Sequence, residues 1–433
     1  MAKLFKIISF LLLLTAVIIA GVFITIIEPV PIVITNSGVQ VNQAESVKKL
    51  MKQLSHSVKN RTHKHNIHIS QDQLNSLVGF AQRAHGKING QVHISPSSTS
   101  ILASYQLPQN PFGQYLNIDI LLLPGNGIKV SHVKFGPVNI PGNFALGTLV
   151  YLANRYTNSD IASQFVQQVE SVSMAERKMQ LAVLPMDQFL RELNDVKQGF
   201  GGGGDEEMRL RTAYYLKQLS LLDVGESSAQ QSLANYIGPL FTWAKNRSGF
   251  ETAPKENEAA IMALAIYAGH HRFANLVGDV QPEKGKVALP KIQPRLKSRT
   301  DLNQHFIFSA AIKVLSEQGL SMAIGEFKEL MDRGDGGSGY SFVDLAADFA
   351  GVEFAIAATT LSSASSVQNI LAGNIDEDLF FPNIKGLPEG LNQNKFRQRF
   401  TQVDSPEYRE MVRGINQRIA QLPIHQTRWK AKG

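Results

Sequence analysis

The chain is 433 residues long, has no cysteine and carries a formal net charge of +7, with 43% hydrophobic and 18% charged residues. This composition excludes an intrinsically disordered chain, and the lack of cysteine excludes disulfide bonds and a lipid-modified cysteine. The length is enough for two domains, each with its own core. The positive charge suits an anionic lipid or anionic wall polymer as a partner, although a basic protein with no acidic partner is an equally good interpretation.

The first element is an uncharged, apolar run from Ile7 to Ile27. As a helix it would be about 30 Å long, the thickness of the hydrocarbon core of a bilayer. Lys3 and Lys6 precede it, which predicts a cytoplasmic N-terminus. The alternative, a cleaved signal peptide, has a shorter apolar core that ends in small residues, whereas Ile18 stands at the best cleavage site. We predict that residues 1–28 are a cytoplasmic tip and a single-pass signal anchor in the inner membrane.

The bulk of the chain is therefore expected in the periplasm or outside the cell, where we predict no nucleic-acid partner. Residues 29–65 are predicted to be a stalk with a polar helix, and residues 66–198 an α+β domain. In this domain an antiparallel sheet is covered by helices on one face. The predicted strands are 90–95, 99–107, 116–123, 127–135 and 177–184, and the predicted helices are 71–84, 143–156 and 160–173.

Four consecutive glycines at 201–204 predict a flexible interdomain linker over residues 199–205. From residue 206 to 433 the apolar periodicity is helical. The predicted fold class is α+β: an N-terminal transmembrane helix, an antiparallel-sheet domain with covering helices, and a mainly α-helical C-terminal domain. The predicted helices of the last part are 206–222, 227–245, 257–268, 301–315, 321–332, 341–359 and 407–422.

The densest group of candidate catalytic residues lies in the C-terminal domain. Asp344 and Asp348 are one helical turn apart beside an apolar stripe, and Glu326 lies in the helix before them. A carboxylate beside apolar side chains tends to have a raised pKa and can act as a general acid, with a second carboxylate as base or nucleophile. Asp344 also has the spacing of a capping box with Ser341, which is a purely structural role.

Two further groups have a functional and a structural interpretation. His305 lies in an apolar helix, where it could carry a proton or be a hydrogen-bonded core histidine. Glu329 has Arg333 one turn later, which predicts an ordinary surface ion pair. The glycine-rich loop 334–339 lacks the Gly-Lys-Ser/Thr of a phosphate-binding loop and predicts a tight turn. With no metal-ligand spacing in the chain either, we predict no metal and no cofactor.

Three stretches carry a resemblance to known proteins: NEAAIMALAIYAGHHR from Asn257, DLNQHFIFSAAI from Asp301 and GSGYSFVDLAADFAG from Gly337. Over this C-terminal half the chain resembles an uncharacterised family of bacterial membrane-anchored envelope proteins, which implies a compartment but no activity. The resemblance groups the residues Glu258, His305, Asp344 and Asp348.

Two functions follow from these observations. The first is a non-enzymatic binding or assembly factor of the cell envelope, whose partner is an envelope protein or an anionic wall or lipid component. The alternative is an envelope hydrolase that cleaves wall glycan. In that hypothesis Glu326 or Asp348 is the acid, Asp344 is the second carboxylate and His305 is a positioning group.

Overall fold

The computed structural model describes residues 21, 24–193, 206–222, 231–283, 286–316, 324–325, 328–329, 331–333 and 337–430. The chain divides into two compact units, Met1–Val196 and Lys197–Gly433. The first unit is α+β with antiparallel sheets, and the second is helical. The predicted fold class is confirmed at this level. The predicted glycine linker, 199–205, lies outside the described residues.

The first unit contains two antiparallel sheets. Their strands are β1 (Ile27–Glu28), β2 (His65–Ser70), β3 (Ile88–Ile94), β4 (Thr99–Gln106), β5 (Tyr115–Leu123), β6 (Gly125–Asn126), β7 (Lys129–Phe135), β8 (Val138–Pro141), β9 (Val169–Ala175) and β10 (Lys178–Val183). One sheet has the strand order β3-β4-β5-β7-β8, with β1 paired to β5, and the other has the order β2-β10-β9-β6.

Four helices of eight or more residues occur in the described part of this unit. They are α1 (Ala44–Lys59), α2 (Gln71–Ala84), α3 (Gly142–Thr157) and α4 (Ile161–Gln168). Helix α2 begins with a complete capping box between Ser70 and Gln73. Its apolar face packs on a small core that both sheets share, around Val92, Ile94 and Met179.

Two predictions for this unit need correction. Residues 29–65 do not stand apart as a stalk, because Val47 and Leu50 of α1 are buried and Gln40 binds the backbone of Gly90 at 2.8 Å. The predicted helix 160–173 ends at Gln168, and the chain continues as β9 because its backbone pairs with β10. The antiparallel pairing of two sheets thus replaces the single predicted sheet.

The prediction for Ile7–Ile27 falls largely on residues outside the described part of the chain. Within the described part, none of the helices has both the length and the apolar character that a membrane crossing requires. Ile24–Ile26 are helical, and Ile27 already pairs with Leu116 in the sheet. The apolar run therefore leads into the folded unit without an intervening loop.

The second unit packs its helices around α9 (Phe342–Thr359), in which every residue from Phe342 to Ala358 except Glu353 is buried. The ring centroids of Phe306 in α8 (Thr300–Leu315) and Phe354 in α9 lie 5.2 Å apart. The helices of eight or more residues whose bounds lie in the described part of this unit are α5 (Glu206–Leu221), α6 (Ala234–Arg247), α7 (Ala253–Leu264), α8 (Thr300–Leu315), α9 (Phe342–Thr359), α10 (Ala364–Leu371), α11 (Gln393–Phe400), α12 (Pro406–Ala420) and α13 (Pro423–Lys430).

Helices α8 and α9 approach closely because α9 has a glycine at the contact. A Cβ atom at Gly351 would lie 2.1 Å from the backbone oxygen of Phe306, so no larger residue fits without moving a helix. Gly414 in α12 is also helical, but a Cβ atom there would meet nothing within 4 Å.

We expect Gly351→Ala to destabilise the second unit by about 1–3 kcal/mol, because the added methyl group overpacks the helix contact. Gly414→Ala is the matched control and should stabilise the unit by about 0.5–1 kcal/mol through helix propensity. Both tryptophans, Trp243 and Trp429, belong to the second unit. Urea unfolding followed by tryptophan fluorescence therefore measures both changes, and equal effects of the two substitutions would contradict the close approach.

Candidate functional site

The site is built where the first half of α8 lies against the first half of α9. His305 of α8 reaches Asp348 with its Nδ1, which is 3.1 Å from Oδ2 of that carboxylate. The other ring nitrogen, Nε2, lies 3.6 Å from Oδ2 of Asp344. Because the two aspartates are one turn apart on α9, they lie on either side of the same imidazole. The structure thus brings together three of the four predicted catalytic residues.

Asp348 is held at both oxygens. While His305 contacts Oδ2, the hydroxyl of Ser309 donates to Oδ1 at 2.7 Å. His305 and Ser309 are themselves one turn apart on α8, so two successive turns of this helix bind one carboxylate of α9. The backbone of Gly325 also approaches closely, since a Cβ atom there would lie 2.6 Å from Oδ2 of Asp348.

Glu329 is the member of the site that sequence reasoning missed. It is fully buried, and one of its oxygens accepts the backbone N–H of Ser341 at 3.0 Å. The other oxygen accepts a hydrogen bond from Lys328 at 3.0 Å. The prediction that Glu329 and Arg333 form an ion pair at the surface is wrong, because Arg333 is also buried. The guanidinium of Arg333 lies 4.6 Å from the ring centroid of Phe396.

The cap of α9 explains why Asp344 is directed toward the site. Ser341 caps the helix as predicted, and its Oγ accepts the N–H of Asp344 at 3.0 Å. In a full capping box the carboxylate at this position would bind the N–H of Ser341 in return. Here Glu329 takes that N–H. The side chain of Asp344 is therefore released from the cap and can face His305.

Asp344 keeps one oxygen without a hydrogen bond. Its Oδ1 is buried and makes no hydrogen bond to the described part of the chain, and the guanidinium of Arg299 lies 3.5 Å from it as an ion-pair partner. The side chains of His305 and Asp344 are 10% and 12% exposed, whereas that of Asp348 is 5% exposed. His305 and Asp344 are thus the more solvent-accessible members of the site.

The protonation of the site is set by burial and by these contacts. Burial opposes the charge of His305, but the charge of Asp348 and its hydrogen bond outweigh this effect and raise the pKa of His305 to about 9. Burial raises the pKa of Glu329 to about 7, against the attraction of Lys328. Burial also raises the pKa of Asp344, against the attraction of His305. Shifted pKa values of this kind are common in active sites and also occur in structural ion networks.

The residues present could in principle hold a cation. One nitrogen or oxygen atom from each of His305, Glu329 and Asp348 lies within 4.8 Å of the others. A metal-bound histidine must give up a proton, however, and the two aspartates favour the protonated ring. Lys328 places a further positive charge next to Glu329. The donor set therefore suits a proton better than a metal, and the absence of a metal stays a prediction.

Two further candidates were named from the sequence, Glu326 and Glu258. Glu326 lies outside the described residues. Glu258 follows Asn257, whose side chain binds the backbone oxygen of Ala358 at 2.7 Å. Ala358 is ten residues beyond Asp348, or about 15 Å along α9. Of the four residues that the resemblance groups, the structure brings together His305, Asp344 and Asp348. The glutamate of the site is Glu329.

Comparisons with known proteins add no assignment. No protein-family model matches the chain, no curated protein is significantly similar to it, and no solved structure matches its fold. The resemblance to envelope proteins of unassigned function stays a prediction.

The pKa of His305 predicts a pH-dependent stability. The folded ring holds its proton more tightly than an ordinary histidine, so the stabilising contribution is full below pH 6.5 and is lost as the pH rises through about 9. The advantage of the wild type over His305→Gln should fall by roughly 3 kcal/mol across this range. Urea unfolding at several pH values measures it. In His271→Gln, a variant of a histidine outside the site, the difference from wild type should not show this fall.

Glu329 predicts a second, more acidic window. Its carboxyl group holds a proton more tightly in the folded chain, so its contribution to stability is full below pH 4.5 and is lost as the pH rises through about 7. Glu329→Gln remains neutral throughout, and the wild type should lose roughly 3 kcal/mol relative to it across this window. The same unfolding experiment tests this, with the surface variant Glu407→Gln as control. A difference that does not change with pH would contradict the proposed protonation.

Proposed function

We propose that the chain is a membrane-anchored hydrolase of the bacterial cell envelope that cleaves wall glycan, with its catalytic centre in the C-terminal helical unit. One observation carries the proposal: His305 is held between Asp344 and Asp348, and Asp344 retains an oxygen without a hydrogen bond. A proton donor and a proton acceptor therefore lie side by side, and both have some exposure to solvent. Hydrolysis needs this pair of groups.

The roles of the residues follow from their contacts. Asp344 is the general base in this proposal, because its Oδ1 is buried and has no hydrogen-bond partner among the described residues, so it can accept the proton of a water molecule that enters the site. His305 is the general acid, because Nε2 carries a proton and Nδ1 is already bound to Asp348. In the reaction, the oxygen of water bonds to the anomeric carbon while Asp344 accepts the proton of the water. The glycosidic C–O bond breaks, and the leaving oxygen receives the proton of His305.

Asp348 and Glu329 are positioning residues in this scheme. Both oxygens of Asp348 are occupied by His305 and Ser309, so it orients the imidazole and keeps it protonated rather than acting as the acid. Glu329 binds the N–H of Ser341 at the start of α9 and thereby frees Asp344. These assignments revise the roles that the sequence suggested, in which Glu326 or Asp348 was the acid and His305 only a positioning group.

The location is part of the proposal. The apolar run Ile7–Ile27, with Lys3 and Lys6 before it, is the support for a single-pass anchor in the inner membrane with the bulk of the chain in the periplasm or outside. Wall glycan is the abundant polymer that such an anchored domain can reach. The compartment and the acid–base pair together select this substrate class.

The second candidate function is a non-enzymatic binding or assembly factor of the envelope. The observation that favours it is the burial of the ion network, since Glu329 is fully buried and the side chain of Asp348 is only 5% exposed. Buried ionic groups can also serve to specify how helices pack. In this case the polar residues of α8 and α9 would fix the fold of a docking domain for an envelope protein or an anionic wall component.

We expect Asp344→Asn to lower the rate of wall-glycan digestion by about 100-fold or more, because general-base catalysis is lost. Asp348→Asn should lower the rate less and should move the alkaline limb of the pH–rate profile to lower pH, because the pKa of His305 falls without its partner. The measurement is release of soluble fragments from purified cell walls by the full chain in detergent. Asp378→Asn, which removes an exposed carboxylate elsewhere in the unit, is the matched control.

The outcomes separate the two functions. If the wild type releases no fragments, the hydrolase proposal fails for this substrate, and binding of the full chain to intact cell walls then tests the second function. Equal activity of Asp344→Asn and Asp378→Asn would remove Asp344 from the mechanism. An unchanged pH profile in Asp348→Asn would remove Asp348 as the residue that sets the protonation of His305.

A further inference from the structure

Helix α3 of the first unit presents an apolar and aromatic face to solvent. Four exposed side chains, those of Phe144, Leu149, Tyr151 and Leu152, fall within an arc of about 160° around the helix axis at 100° per residue. The helix contains no acidic residue, and its only charged residue is Arg155. An exposed apolar face of this size marks a surface that is covered by something else. The four side chains are 57% to 68% exposed.

This helix begins close to the point where the apolar run enters the sheet. The backbone oxygen of Ile26 packs against Gly136, where a Cβ atom would lie 2.6 Å from it. Gly136 joins β7 to β8, and β8 leads directly into α3 at Gly142. Six extended residues span at most about 20 Å, so α3 begins within that distance of the end of the run.

The apolar run is also joined to the sheet without a connecting loop. Ile24–Ile26 are helical, and Ile27 pairs with Leu116 of β5. If the run crosses a bilayer, the edge of this unit near Gly136 must therefore lie at the head groups. A 16-residue helix that starts about 20 Å away, with Phe and Tyr on its outer face, then lies within reach of the same surface.

We propose that α3 is an interfacial helix that lies in the head-group region of the bilayer that holds the N-terminal segment of the same chain. The inference rests on the proposed anchor. Aromatic and leucine side chains favour the boundary between head groups and acyl chains, and Arg155 can meet lipid phosphates. The lack of acidic residues on α3 removes repulsion from anionic lipid. Insertion of this face fixes the orientation of the first unit on the membrane.

The experiment uses the full chain in vesicles of phosphatidylethanolamine and phosphatidylglycerol. Because the chain has no cysteine, single substitutions allow one nitroxide label at a time. Leu152→Cys and Thr148→Cys place labels one turn apart on the exposed face of α3. Ser97→Cys, in the exposed turn between β3 and β4, is the matched control. Collision of each label with oxygen and with a water-soluble nickel chelate measures its depth.

We expect labels at Leu152 and Thr148 to collide more with oxygen than with the nickel chelate, and the label at Ser97 to show the reverse. Retention of the protein in carbonate-washed vesicles with all three labels in water would overturn the α3 proposal and leave the anchor standing. Release of the protein by carbonate would refute the anchor and with it the premise of the inference. Each variant carries one label, so dipolar broadening of an α3 label that remains in water would come from a second copy of the chain on this face. That result would also overturn the proposal that α3 lies in the bilayer.

Discussion

The contact between α8 and α9 is the constraint on which the second unit depends. Because α9 has Gly351 against the backbone of Phe306, the two helices lie closer than ordinary side chains allow. Polar groups near this contact are largely removed from water and are stabilised by partners in the protein. His305, Asp348 and Ser309 satisfy one another across the two helices. The close packing of apolar groups thus creates the environment in which a small group of charges acquires unusual protonation.

That environment gives the polar residues different tasks. A buried carboxylate is costly unless it is paired, and the partners decide which oxygen atoms remain available for chemistry. Both oxygens of Asp348 are used, and both oxygens of Glu329 bind donors of their own. Asp344 alone among these three carboxylates keeps an oxygen without a hydrogen bond. Two neighbouring aspartates of one helix therefore differ in their hydrogen bonding, although their positions in the sequence are nearly equivalent.

The fold of the first unit bears on the proposed membrane anchor. The end of the apolar run is a strand of the sheet, and α3 with its exposed aromatic face follows only a few residues after the turn that this end contacts. With the proposed anchor, a unit with this connectivity would be attached to the membrane at its edge rather than by a long tether. The substrates and partners expected for the chain would then be those found near the membrane surface.

Periodicity and capping are local signals, so the sequence predicted α2, α8 and α9 to within a few residues of their observed ends. It also identified His305, Asp344 and Asp348, since a polar residue beside an apolar stripe is visible in one dimension. Three features became visible only in three dimensions: Glu329 is buried and accepts the N–H of Ser341, residues 29–65 pack against the rest of the first unit, and residues after Gln168 form a strand. Each of these depends on a partner distant in the chain, and no local pattern contains that information.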